Sequence, residues 1–151
     1  MPKPFRLEIL LQHSRHRMEA AERMLRMLRR KEEVAQKQLD DLHGYRQEYQ
    51  QRMTGAGAHG LDITLLRDYH RFLGKVEAAI DHQIGEVAQA HGKWQAAHAA
   101  WMELRRQVKA YEVLAERHAR EVRHLEEKRE QRATDETAAR QTQPLGGRTL
   151  G

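Results

Sequence analysis

Apolar residues recur along this chain at alternating steps of four and three. The first series runs through Leu7, Leu11, Ser14, Met18, Ala21, Leu25, Leu28, Glu32, Ala35, Leu39, Leu42, Arg46, Tyr49 and Met53. After a glycine-dense interval the rhythm resumes at Leu66, Tyr69, Leu73, Val76, Ile80, Gln83, Val87, Ala90, Trp94, Ala97 and Trp101. It then continues through Leu104, Val108, Tyr111, Ala115, His118, Val122 and Leu125. Heptads sustained over this length mark a left-handed coiled coil. Proline stands only at positions 2, 4 and 144, and strong helix formers fill the rest, so nothing interrupts either series. The pattern predicts an all-α fold, a long antiparallel two-helix coiled-coil hairpin with the second helix longer than the first. The expected bounds are helix 5–53, bend 54–61 and helix 62–137, with a disordered tail at 138–151.

Folding the two series about the glycines sets opposite each other residues whose numbers add to 115. Trp94 then faces Ala21, Trp101 faces Ser14, Ile80 faces Ala35, and Glu32 shares a layer with Gln83. Large residues against small ones keep the width of a seam constant. This register exhausts the first helix near Val108 and leaves Tyr111, Leu114, Val122 and Leu125 as a thin unpaired stripe.

The interval itself, Gly55-Ala56-Gly57-Ala58-His59-Gly60, matches G-x-G-x-x-G letter for letter. A dinucleotide fingerprint must follow a buried strand and open a crossover helix. Here it follows the polar, helical "YRQEYQQRM", and no β-branched run exists in the chain. The glycines therefore read as the permissive backbone of a helix reversal, with Asp62 placed to cap the second helix.

Composition agrees with exposed helices. Of 151 residues 32% are charged, 39% hydrophobic and only 5% aromatic, with a mean hydropathy of -0.91. A formal charge of +5 favours an anionic partner. Both signs are interspersed, however, which argues against a nucleic-acid patch. There is no cysteine, hence no disulfide or thiolate chemistry. No stretch approaches the roughly 20 apolar residues of a membrane helix, so a cytoplasmic location is expected.

Candidate chemistry is sparse. The histidine pairs His13 with His16, His91 with His98, and His118 with His124 lack a convergent third ligand and read as solvated helix-surface residues. No nucleophile elbow, zinc-protease motif or phosphate loop is present, and a two-helix rod has no concave pocket. The chain is expected to be no enzyme and to need no cofactor or metal. Trp94 and Trp101, seven apart, belong to the seam. Phe72 lies beside it, and Phe72, Val76, Ala79 and Gln83 form one stripe near the bend. That stripe is either a widened seam or a docking surface for a partner. Glycines 74, 85 and 92 fall on outward positions.

In order along the chain stand "LDDLHGYRQEYQQRM", the glycine bend, "LLRDYHRFLGKVEAAIDHQ" and a late "REQRATDETAAR". Together they resemble the FliJ family of the flagellar type III export apparatus. The most distinctive element of the resemblance is Tyr45 and Tyr49, then the bend, then Tyr69 and Phe72. The resemblance implies a stalk similar to the antiparallel coiled coil of the rotary ATPase gamma subunit. Such a stalk inserts in the ring of the export ATPase (FliI-like), promotes ring assembly and contacts the export gate protein (FlhA-like). A chaperone role and contact with export chaperones are also implied, at the cytoplasmic face of the membrane, reached through partners. By position, gate binding carries over to Phe72, Val76, Ala79 and Gln83. Contact with the ATPase is implied at the end away from the bend, where Arg117, Arg120, Arg123 and Lys128 supply a mixed-charge surface suited to weak, salt-sensitive contacts. Two other readings stay open. One is the equivalent stalk of a virulence-type secretion system; the other is a basic coiled coil that scaffolds an assembly or binds nucleic acid, with a steep salt dependence.

Overall fold

The computed structural model describes the backbone of residues 2–57, 60 and 62–146, and the side chains of 6–57, 60 and 62–142. Two helices account for nearly all of it: α1, Pro2–Gly57, and α2, Ile63–Gly146, of 56 and 84 residues. They form a helical hairpin with the second arm longer, and no strand occurs among the described residues. Two compact units are distinguished, Arg17–Leu104 on the one hand and Met1–His16 with Arg105–Gly151 on the other.

In the unit Arg17–Leu104 the helices run antiparallel from the reversal. α1 continues four residues past its expected end, through Thr54, Gly55, Ala56 and Gly57. Within this extra turn the Thr54 hydroxyl donates to the Gln50 carbonyl at 2.9 Å and so stays satisfied inside the helix. The turn follows: the Gly60 amide donates to Gly57 O at 3.3 Å, and Gly60 takes a φ of 85°, a conformation few other residues adopt. Asp62 precedes Ile63, and its carbonyl accepts the Leu66 amide at 3.0 Å, the first bond of α2. Ala58, His59 and Leu61, expected in the bend, lie outside the described residues.

The heptad period is realised almost position by position. Each residue of the first series from Leu7 to Met53 is buried or half-buried, and in the second series only Leu66 and Leu125 are exposed. The register differs from the expected one. Gln83 reaches Ala35, His91 reaches Glu32, Trp101 reaches Glu22 and Tyr49 stacks on Tyr69. The paired numbers (83 with 35, 91 with 32) add to 118 and 123, not 115. The offset is three to eight residues. It follows from the reversal point: with α1 helical to Gly57, the pivot moves beyond it, and each residue of pivot displaces the partner by two. Trp94 is therefore not beside Ala21 but under Arg29, whose guanidinium carbon lies 4.9 Å from its ring centroid. The indole Nε1 of Trp101 donates at 3.3 Å to Glu22, eight residues along α1 from the expected Ser14. Glu32 and Gln83 do not satisfy each other, since Glu32 meets His91 and Gln83 meets Ala35 and Gln38.

The deepest positions of this unit are Leu39 and Ile80, 9% and 3% exposed. A seam between only two helices covers one side of each residue, so little else is fully enclosed.

In the other unit the start of α1 packs on α2 beyond Arg105. Leu11, Ser14 and Val108 are buried, and Arg15 pairs with Glu112 at 3.3 Å. Coverage of α2 thus extends past Val108. Tyr111 and Val122, expected to be unpaired, are half-buried, whereas Leu114 and Leu125 are exposed. From Arg123 to Thr142 every side chain is exposed, yet the backbone stays helical to Gly146. Residues 138–146 were expected in a disordered tail. Alanine, arginine and glutamine are good helix formers, and Thr142 bonds back to Ala138 and Ala139, so no breaker precedes Pro144. Residues 147–151 of that expected tail lie outside the described residues.

Candidate functional site

The hairpin near the reversal carries Tyr45, Tyr49, Tyr69 and Phe72. Tyr49 of α1 stacks on Tyr69 of α2 with centroids 5.3 Å apart, and its other neighbour is Phe72 at 4.5 Å. Tyr69 also touches the His70 ring at 5.4 Å. The seam position Tyr49 thus serves as a platform, and Phe72 leans against it from outside with 47% of its surface exposed. Tyr45, one turn away on α1, is 63% exposed.

The remaining residues of the expected stripe behave differently along its length. Val76, in the seam, and Ala79, beside it, are both half-buried. Gln83 is turned inward: its Nε2 donates to the Ala35 carbonyl at 2.9 Å and to Gln38 Oε1 at 3.2 Å. The stripe is therefore open at Phe72 and tied down at Gln83. The sequence pattern placed Tyr49 in the seam but did not reveal its contact with Phe72. The signal was present, because flank positions of antiparallel helices face each other once the register is known.

Arg117, Arg120, Arg123 and Lys128 are all exposed on α2. Arg120 donates to Glu116 at 2.7 Å, an intrahelical pair with both side chains well exposed. The four residues spread over about a third of the helix circumference. Acidic neighbours such as Glu116, Glu121 and Glu127 divide them, so they make a mixed surface rather than a basic patch.

Three histidines expected on the solvated surface are partly covered instead. His91 and His98 alternate with Trp94 and Trp101 in a ladder of rings on α2, with successive centroids 6.1, 4.9 and 5.7 Å apart. His118 is half-buried, with its Nε2 enclosed. Among the described residues no group of three or more His, Cys, Asp or Glu could hold a metal ion. Likewise no described helix is long and apolar enough to cross a membrane.

Comparison with known proteins adds one finding. The family described as flagellar FliJ protein matches residues 2–144. No curated protein and no solved structure matches the chain. A match over nearly the whole length, on a two-helix hairpin with aromatic residues gathered at its reversal, assigns the chain: it belongs to the FliJ family and is a flagellar, export-related protein.

Proposed function

We propose that this chain is a non-catalytic stalk and chaperone component of the flagellar export apparatus. It inserts in the export ATPase ring, promotes assembly of that ring and links it to the export gate. It works at the cytoplasmic face of the membrane through these partners, with export chaperones among its further contacts. Family membership supports the apparatus, and the hairpin supports the stalk. A stalk needs stiffness and few strong contacts, which a heptad seam and a mixed-charge surface supply. ATP hydrolysis belongs to the ring in this reading.

The observation that carries gate docking is Phe72. An aromatic residue 47% exposed, braced by Tyr49 from the other helix, is a rigid apolar anchor at the reversal. Anchors of this kind commonly carry about 2 kcal/mol of binding or more, roughly thirtyfold in affinity. Val76 and Ala79 widen the contact beside it, and Gln83 bounds it. The exposed Arg117, Arg120, Arg123 and Lys128 are the ring contacts of this reading.

The test is co-purification with the export ATPase and the gate protein. Phe72→Ala is expected to weaken gate binding and reduce motility, while helicity and stimulation of ATPase assembly persist. A large loss of melting temperature with unaltered gate binding would return Phe72 to the seam and remove the docking role. Failure of the wild-type chain to alter ATPase oligomerisation would remove the stalk role itself.

A further inference from the structure

Beside its seam, α1 carries a second heptad stripe. Ala20, Met24, Met27, Lys31, Val34 and Gln38 repeat the same steps of four and three. Met24, Met27 and Val34 are 48%, 44% and 56% exposed. A two-helix coil uses one such stripe on each helix; a second one is the pattern that a further helix packs against.

The ground next to this stripe is concave. Two adjoining grooves of about 340 and 260 Å³ open between the helices and share Lys31, Ala35 and Glu86 on their walls. Small residues, Ala35 and Ala90, line them and let an approaching side chain sink in. The rim is basic. Arg30, Lys31 and Lys93 stand on it, and among the described residues no ion pair engages any of the three. Glu86, the one carboxylate on the walls, lies 3.6 Å from His82. The opposite flank is already occupied by cross-seam polar contacts, Glu32 with His91, Glu22 with Trp101 and Arg29 over Trp94. One flank of this unit is therefore closed by its own chemistry, and the other, beyond the contact of Gln83 with Gln38 at its end, offers apolar knobs, small-residue grooves and unneutralised cations.

We propose that this flank docks an acidic amphipathic helix of a partner protein. The apolar stripe of that helix packs on Met24, Met27 and Val34, and its carboxylates meet Arg30, Lys31 and Lys93. The spacing of the stripe selects a helix, and the sign of the rim selects an acidic one. The proposal rests on neither Phe72 nor the ATPase ring, although Gln83, which bounds the gate stripe, also lines the first groove.

The test uses the full chain and a fluorescein-labelled synthetic helix about three heptads long, with leucines at heptad spacing and glutamates flanking them. A twin peptide carries lysine for every glutamate. The acidic helix is expected to bind saturably, more weakly at higher salt, and at least about tenfold tighter than its twin. Lys31→Glu with Lys93→Glu should reverse that preference, and Val34→Asp should abolish binding with helicity unchanged. Phe72→Ala should leave peptide binding intact, which separates this surface from the gate stripe. The proposal fails if the two peptides bind alike, if neither binds, or if the double charge reversal leaves the preference unaltered. It also fails if the free chain sediments as a dimer that Val34→Asp splits, because the stripe would then seat a second copy.

Discussion

His91 Nδ1 lies 2.6 Å from Glu32 Oε1 across the seam, while Oε2 of the same carboxylate is enclosed without a hydrogen-bond partner. A carboxylate only accepts, so the imidazole supplies the shared hydrogen. Glu32 occupies a seam position with 18% of its side chain exposed, whereas His91 on the flank keeps 44%. The relationship is unequal: the acid depends on the histidine more than the histidine depends on the acid.

That inequality sets opposite signs for two substitutions. His91→Ala removes the hydrogen bond of a covered carboxylate, which keeps the Arg29 guanidinium at 3.6 Å, and should cost about 1 kcal/mol. Glu32→Leu fills the seam with an apolar side chain and frees an imidazole that water can reach. It should be neutral or stabilising by about 1 kcal/mol or more. Thermal melts of both variants decide the matter, and a Glu32→Leu loss as large as that of His91→Ala would show that the pair stabilises the hairpin in its own right.

The register can be read by crosslinking. The contacts of Gln83 with Ala35 and of His91 with Glu32 bring Ala35 level with the turn of α2 between Gln83 and Ala88, where Val87 is a seam residue. Cysteines at Ala35 and Val87 should form an intramolecular disulfide readily under mild oxidation. Cysteines at Ala35 and Ile80, the pair favoured by a reversal between Gly57 and Ala58, lie about 10 Å out of level and should not. Mobility on non-reducing gels reads both results, and efficient closure of the second pair would restore the shorter reversal.

Burial predicts a steep contrast between two aspartates. Ile80 is 3% exposed, and Ile80→Asp places a charge in the seam, which should cost several kcal/mol, of order 3–5. Arg120 is exposed and paired only with Glu116 one turn away. Arg120→Asp should cost about 0.5 kcal/mol or less. Urea melts compare them, and equal losses would mean that Arg120 is packed on something.

Gly85 offers a gain. A Cβ at this position meets nothing within 4 Å, and the residue sits in the interior of α2. Gly85→Ala should therefore stabilise the protein by about 0.5–1 kcal/mol through helix propensity alone. Loss of a partner interaction with that gain in stability would show that the glycine serves flexing rather than folding.

The period was legible in the sequence and the register was not, for one reason. A heptad seam slid by seven residues lands on another heptad seam, so Leu, Val and Ala positions fit several alignments almost equally. Only the length of the reversal discriminates among them, and that depended on whether Thr54 to Gly57 would bend or coil. They coil, with Thr54 bonded back to the Gln50 carbonyl. Phe72 was legible as a flank residue because its neighbours Tyr69 and Leu73 define the seam on both sides. The inward turn of Gln83 was hidden, because it depends on which α1 carbonyl the register brings within reach. The coverage of His91 was hidden likewise, since a histidine beside a seam gains its acid only when the partner helix is placed.

The uncovered stretch of α2 from Arg123 to Thr142 has a kinetic consequence. A helix without a packed face is held by propensity and neighbouring-turn contacts alone, and its hydrogen bonds open one turn at a time. Amide exchange along this segment should therefore follow local fraying and respond little to substitutions such as Ile80→Asp. Amides around Leu39 and Ile80 should instead exchange only when the seam opens as a whole. A partner that grips the uncovered stretch would be visible first as a slowing of its exchange, before any change in shape.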